Sequence, residues 1–572
     1  MIFLIESCIC VAAIVTACIF PDAGADWFAT VEQWFAALAR RRTLAVASVG
    51  LLALALRASL LPIEPIPVPT VHDEFSYLLM SDTFAHGRLA NPTHPMWTHF
   101  ETFHVIQKPT CVSMYYPAQG LFLAMGQVVF GHPFWGVDLS VGLMCAAICW
   151  MLQGWVPPIW ALLGGLLAAI RLGTFSYWAN SYWGGAVAAI GGALVLGALP
   201  RIKRYGRPRD AILLGVGLAI LANSRPYEGL FFSLPVAAAL FVWTFRRKKA
   251  GEDVFKRVAL PLGLVFALTA AAMLFYFWRT TGSPFRTPYL INIATYTPVP
   301  YFPWQSVKSF PLYHHAAMRA FYTGWWLQQY ELGRVHPILL ALVKVNVFWF
   351  FYLGPLFTVP LVVLAIILPH GMPPSSISRN ARFLLVVCCV PAIGMLLPVY
   401  FDPHYAAPLT AAIYALLIMA MQRIRRWRWR GRRTGLAIVR SIPLIAIAML
   451  LLRIATAPLQ LSASPWPTLQ AWCSPAMQLW DRARIEEQLE KQQGRHLVIV
   501  RYGPQHDPRS EWVYNKADID GLKVVWAREM APHENEELIR YFKDRKVWLV
   551  EPDATPPRLA PYQELPTVAQ SK

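Results

Sequence analysis

The sequence predicts an α-helical polytopic membrane protein: a bundle of about twelve transmembrane helices followed by a small C-terminal α/β domain. Three observations predict it. Of 572 residues, 56% are apolar and only 15% charged, whereas soluble domains sit nearer half apolar and a quarter charged. The apolar excess is gathered into runs of about 20 residues, the length that crosses a hydrocarbon core. Basic residues fall in short loops between those runs. Clusters at 40–42, 201–209, 246–257, Arg379 with Arg382, and 423–433 hold 23 of the 51 lysines and arginines. The runs do not alternate apolar with polar, which argues against a barrel. The net charge of +19 therefore reads as loops retained in the cytoplasm and not as a nucleic-acid footprint.

The first run, 2–20, lacks a basic leader and a small-x-small cleavage site. It is expected to be a retained helix and not a cleaved signal. The next spans are expected at 43–61, 135–153, 157–175, 184–200, 210–224, 228–245, 258–278, 345–369, 383–400, 405–421 and 435–455. With Arg40, Arg41 and Arg42 inside, residues 62–134 lie outside. Alternation then puts the other basic clusters inside and the C-terminus outside, on condition that the short apolar stretch 117–131 is interfacial or re-entrant. The chain thus divides into an N-terminal helix and cytoplasmic segment (1–42), a bundle (43–460) with outer loops 62–134 and 279–344, and an extracytoplasmic domain (461–572). The expected setting is the bacterial inner membrane.

In the last segment, a helical pattern near 478–493 precedes strand-like runs at 496–500, 523–527 and 546–550, with a helix at 533–543. Strand, helix, strand predicts a small parallel sheet. It has no phosphate-binding glycine loop, so it reads as a scaffold or an acceptor-binding lobe.

Nine cysteines form no CxxC pair. Seven lie in apolar runs. Cys111 and Cys473 are expected outside, and spacing leaves a bridge between them open. Thirteen of fourteen histidines are expected outside, with His370 facing in. His94, His99 and His104 recur every five residues near Glu101. Zinc ligands on one helix prefer spacings of three or four, and Pro-Thr-His94-Pro reads as a loop, so no metal is assigned.

The stretch Val71-His72-Asp73-Glu74-Phe75-Ser76-Tyr77 follows Pro62, Pro65, Pro67 and Pro69, which end the preceding helix and stiffen the chain. A helix is expected over about 76–86. Two carboxylates at a helix start favour its dipole. Alternatively, one is a general base that deprotonates an acceptor hydroxyl, with partial burial raising its pKa.

Asp73-Glu74-Phe75-Ser76-Tyr77, then Pro117-Ala118-Gln119-Gly120-Leu121-Phe122-Leu123-Ala124 and Phe130-Gly131, together with the bundle over about 40–460, resemble the GT-C superfamily of membrane glycosyltransferases. The nearest branch is the protein O-mannosyltransferase and aminoarabinose-transferase type, with related bacterial lipopolysaccharide enzymes. The resemblance implies a hexosyl- or pentosyltransferase using a polyprenyl-phosphate-linked donor on the outer side of the membrane, with the acceptor (protein, lipid or glycan) open. It makes Asp73 the general base and gives Glu74 the task of orienting it or contacting the acceptor. His72 and Tyr77 would contact substrate.

A donor phosphate calls for a cation, and arginine offers bidentate recognition. Arg225, in Asn223-Ser224-Arg225-Pro226-Tyr227-Glu228, is the first choice, with Tyr227 beside it. Arg319 and Arg334 are alternatives, and a snorkelling role for Arg225 stays open. Asp402-Pro403-His404-Tyr405-Ala406-Ala407-Pro408 is similar to the family's late basic-Tyr-Pro segment, with His404 in place of arginine and Tyr405 next to it. The aromatics Trp178, Tyr182, Trp183, Tyr296, Tyr301, Phe302, Trp304, Tyr322, Trp325 and Trp326 form an interfacial belt or a platform for sugar or prenyl chain. No cofactor is assigned. The rival readings are a transporter or lipid flippase, for which Arg171 is the main charge inside an expected span, and a non-catalytic scaffold whose C-terminal lobe binds a partner.

Overall fold

The computed structural model describes residues 2–249, 255–367, 377–456 and 480–562. His370 and Cys473 lie outside them, as do residues 250–254 of the basic cluster 246–257. Among the described residues, ten helices are long and apolar enough to cross a membrane, from Ile2–Ile19 to Thr434–Ile454. They match ten of the twelve expected spans. The other two, Pro158–Leu172 and Pro208–Ala222, have 15 residues each. Each opens on a proline at its first positions, and Gly173 and Asn223 close them. Fifteen residues rise about 22 Å, short of a core of about 30 Å. Stretch 117–131 forms the separate helix Pro117–Phe130, which starts on its proline and stops at Gly131 with φ 78°. It crosses the next helix, Phe134–Leu152, with backbones touching. A Cβ on Gly126 would stand 2.1 Å from the Gly136 nitrogen, so only glycine permits the crossing.

Two features depart from expectation near the N-terminus. Residues 25–40 form the helix Ala25–Arg40, with Trp27 and Trp34 exposed and Glu32 tied to Arg440 at 2.8 Å. Such an amphipathic helix suits a membrane surface. Arg171 is also not the main buried charge of the bundle. Arg57 is fully buried and donates to the carbonyls of Glu64 (3.0 Å) and Pro65 (3.3 Å). It thereby clamps the proline-rich exit to the helix that precedes it. Glu6 pairs with Arg453 at 2.9 Å, and Lys344 donates to the carbonyls of Met395 and Leu396 at 3.1 and 3.4 Å.

A further correction concerns the acidic motif. Its helix runs His72–Ala85, so His72, Asp73 and Glu74 are the first turn and do not precede it. The reason is local. Glu74 sits at the third helical position and accepts from the backbone nitrogens of Thr70 (2.7 Å) and Val71 (3.2 Å). This is the carboxylate half of a capping box.

The C-terminal lobe is a four-stranded sheet. Counting a short hairpin in loop 62–134 as β1 (Val105–Ile106) and β2 (Val112–Ser113), its strands are β3 (Arg495–Val500), β4 (Val524–Arg528), β5 (Arg545–Glu551) and β6 (Arg558–Pro561). The order is β4-β3-β5-β6, with β3 parallel to both neighbours and β6 antiparallel at the edge. The three parallel strands and the helices Trp480–Lys491 and Pro532–Tyr541 fall within two residues of expectation. β6 was not expected, because prolines break its pattern, and an edge is where a strand tolerates them. Both faces are covered. One core gathers Ile485, Leu489, Val498 and Trp526. The other gathers Leu497, Ile499, Val525, Leu538, Phe542 and, from loop 62–134, Phe100. The lobe is thus completed by the bundle's loop. Phe75 stacks on Tyr514 with centroids 4.1 Å apart. The Ala517 nitrogen donates to Asp82 (2.9 Å), and Arg528 donates to the Glu101 carbonyl (2.7 Å).

Candidate active site

Where bundle, loops and lobe meet, they enclose a cavity of about 1200 Å³. His72, Asp73, Tyr77, Arg225, Tyr227, His404 and Tyr405 all line it. Glu74 does not, and neither do Arg319 and Arg334, which are exposed elsewhere.

Asp73 and Glu74 are adjacent, yet a helix turn sends them in different directions. Asp73 faces the cavity with its side chain 26% exposed. The Tyr115 hydroxyl donates to its Oδ1, and Nε2 of His104 lies 4.0 Å from its Oδ2. Glu74 is buried. Its Oε2 takes the two backbone donors described above and the Thr70 hydroxyl (3.1 Å), and its Oε1 accepts from the Tyr182 nitrogen at 2.9 Å. Burial pushes its carboxyl up to about 7, against those four hydrogen bonds. Glu74 is therefore bound to the scaffold on every side.

His104 has a left-handed backbone, φ 59°, uncommon for a residue with a Cβ. Its carbonyl is held by the Ser76 hydroxyl (2.7 Å) and the Met114 nitrogen (2.9 Å). That conformation carries the ring to Asp73. Burial lowers the pKa of His104 and, more strongly, of His72, so both imidazoles are neutral near pH 7. His72 stacks on Phe103 at 4.2 Å. Its Nε2, and Nδ1 of His104, are buried without a partner among the described residues.

Arg225 occupies the three-residue link between helices Pro208–Ala222 and Pro226–Lys249, where Pro226 forces a restart. Its guanidinium lies 4.6 Å from the centroid of the Tyr405 ring and has no hydrogen bond or ion pair among the described residues. Burial works against its charge, but Tyr77, Glu228, Tyr405 and Tyr115 outweigh that and raise its pKa. Tyr405 and His404 stand on a 3-10 turn, Pro403–Leu409. The Tyr177 hydroxyl fixes it, accepting from the His404 nitrogen (3.0 Å) and lying 2.9 Å from its Nδ1. Tyr77 stacks on Tyr115 at 4.6 Å.

Sequence reasoning missed two groups. Asp402 lines the cavity. Burial first, and the charge of Asp73 second, push its carboxyl up to about 7 against the pull of Arg225. An acid directly before Pro403-His404-Tyr405 was a usable signal. The other group is a lobe loop, Asp507, Arg509 and Ser510. Asp507 and Arg509 pair with each other at 2.7–3.1 Å. Their arrival depends on the docking of the lobe, and no local pattern announces it.

The aromatic question divides. Trp183, Tyr301, Phe302, Trp325 and Trp326 line the cavity. Trp178, Tyr182, Tyr296 and Tyr322 are buried and Trp304 is exposed. The three spaced histidines also part. His94 meets Asp520 at 3.1 Å and His99 donates to the Arg528 carbonyl at 3.0 Å, so both fasten the lobe. Only His104 reaches Asp73. No group of three or more histidine, cysteine or acidic residues among the described residues could hold a metal.

Several solved structures are similar in fold. An oligosaccharyltransferase of Archaeoglobus fulgidus, tethered with an acceptor peptide, superposes with a TM-score of 0.45 at 13% identity, covering 89% of this chain and 68% of that one. ArnT from Cupriavidus metallidurans does so with 0.45 at 13% in its apo state, covering 88% of this chain and 92% of that one. Bound to undecaprenyl phosphate, it gives 0.43 at 15%, covering 92% and 93%. This chain therefore spans about two thirds of the archaeal chain and nearly all of ArnT. No family model and no curated protein sequence matches the chain.

Proposed function

We propose that the chain is a membrane glycosyltransferase that moves a sugar from a polyprenyl-phosphate carrier to an acceptor. The observation that supports it is that Asp73 and an unengaged Arg225 face one cavity walled by aromatic side chains. An acceptor hydroxyl attacks the anomeric carbon while the bond from that carbon to the phosphate oxygen breaks. The proton passes to Asp73, whose Oδ2 is left to receive it because Tyr115 occupies Oδ1. The electron pair leaves with the polyprenyl phosphate, whose growing charge meets Arg225 over Tyr405. Arginine suits that task through its paired donors. Direct displacement inverts the anomeric configuration. Glu74 acts as a positioning residue, holding the first turn that aims Asp73. His404, Tyr227 and the aromatic wall bind donor, and Asp507, Arg509 and Ser510 border the acceptor side.

In this reading the lobe is extracytoplasmic at a bacterial inner membrane, because the basic clusters gather at the opposite end of the bundle. A transporter or flippase would string ionisable groups along a midplane path. Here the buried Glu6–Arg453 pair and Lys344 are each closed by partners of their own. The test is transfer in membranes from a labelled polyprenyl-phosphate sugar by the wild type and by Asp73→Asn, with the product anomer read by NMR. Loss in the variant and inversion in the wild type are expected. Undiminished transfer by a folded Asp73→Asn, or a retained anomer, would sink the mechanism.

A further inference from the structure

We propose a second lipid site, a groove that holds the phosphate headgroup of an anionic membrane lipid. The groove has a volume of about 700 Å³ and is lined by Thr93, Lys108, Pro109, Thr281, Arg286 and Ile291. Its position relative to the membrane follows from the chain. The span Lys256–Thr281 ends in it, so the groove opens where acyl chains give way to headgroups. Two cations reach it from segments far apart in sequence. Lys108 comes from loop 62–134, where its ammonium lies 4.2 Å from the centroid of the Trp97 ring. Arg286 comes from the turn after the span, a turn closed by the Thr281 hydroxyl, which donates to the Arg286 carbonyl at 3.0 Å. Neither cation has a carboxylate partner among the described residues.

Residues adjoining the lining ones in sequence, on the span's last turn and just after it, are exposed and apolar. Phe285 is 82% exposed, Leu290 55% and Trp278 52%. In water such a cluster would be a liability, and beside acyl chains it is an anchor. Positive charge above and apolar surface below is the chemistry of a phospholipid headgroup with its chains, not of a free anion. The groove is also separate from the central cavity. The helix Pro288–Tyr296 stands between them, presenting Ile291 to the groove and Tyr289 and Ile293 to the cavity. The inference needs the membrane but not the transfer reaction, so the two can fail independently.

The experiment is native mass spectrometry of the full chain in detergent, titrated with phosphatidylglycerol or phosphatidylcholine. One cation near an anionic lipid surface corresponds to roughly five-fold in affinity. The wild type is expected to retain phosphatidylglycerol in preference to phosphatidylcholine. Lys108→Ala with Arg286→Ala is expected to lose roughly ten- to thirty-fold of that binding. Arg225→Gln, in the central cavity, is expected to keep it. Equal retention of both lipids, wild-type binding by the double variant, or loss in Arg225→Gln would each overturn the proposal. So would displacement of the lipid by millimolar inorganic phosphate, which would make the groove a site for the free anion. Should the double variant not fold, Lys108→Gln and Arg286→Gln singly, checked by thermal melting, carry the same expectation at about five-fold each.

Discussion

The two walls of the central cavity are built by different means. On the bundle side, Arg225, Asp402, His404 and Tyr405 stand in short links between helices, and the Arg225 guanidinium, over the Tyr405 ring, has no hydrogen bond or ion pair among the described residues. On the lobe side one loop supplies Asp507, Arg509 and Ser510, and its two charges already neutralise each other. An unpaired, half-buried charge costs free energy that the fold must offset elsewhere. A paired, half-exposed one costs little and contributes little. The difference assigns charge handling to the bundle wall and shape to the lobe wall.

That contrast can be broken at several points. Asp73→Asn should have the largest effect, a loss of about 10²- to 10⁴-fold in kcat, the range of a general base, with the melting temperature unchanged. Phe100→Ala should come next but act on stability. Removing a buried aromatic costs about 3–5 kcal/mol, so thermal melting should show early release of the lobe. A melt like the wild type's would mean that the lobe is complete without the loop. Arg225→Lys keeps the charge but loses the fork, and a drop of about 10- to 100-fold in kcat/KM is expected, the range for a charged hydrogen bond. Equal activity would make Arg225 a point charge only.

Asp402→Asn addresses pH. The ordinary carboxyl pKa of aspartate is about 4, and in the fold that of Asp402 is about 7. Between those values the folded protein keeps a proton that the unfolded chain gives up. Stability therefore falls as pH rises through that window and is level above it. Glu74 acts in the same direction. The variant should flatten part of the fall in melting temperature between about pH 4 and 7, and an unaltered slope would mean that Asp402 is not buried as described. Arg509→Ala should have the smallest effect, a change of a few-fold in acceptor KM with kcat constant, since an exposed pair is worth less than about 1 kcal/mol. A large fall in kcat would move chemistry to the lobe wall.

Much of this was legible in the sequence, for reasons that differ by residue. Spans and parallel strands declare themselves because burial dictates composition locally. Asp73 and Arg225 could be read because each sits at a break: one after a run of prolines, the other before Pro226. The helix start at His72 was misread because Glu74 was weighed as a reactive group, while its oxygens cap the turn. The helix Ala25–Arg40 was passed over because its pattern suits a surface and not a span. The lobe loop and the neutral histidines were beyond reach. His104 meets Asp73 through a left-handed backbone, and Asp507 arrives through contacts more than four hundred residues distant in sequence.

Phe100 sits in the hydrophobic core of the lobe although it belongs to the loop after the third helix. This sets an order of assembly. A growing chain makes Asp73, Arg225 and Asp402 long before it makes the strands that enclose Phe100. Until residues 480–562 are synthesised and settle on that ring, the cavity lacks the wall that Asp507, Arg509 and Ser510 supply, and Asp73 faces open water. Under the proposed function, a molecule in which the lobe has not yet closed on Phe100 encloses no donor, so the order of synthesis keeps the cavity open until the lobe docks.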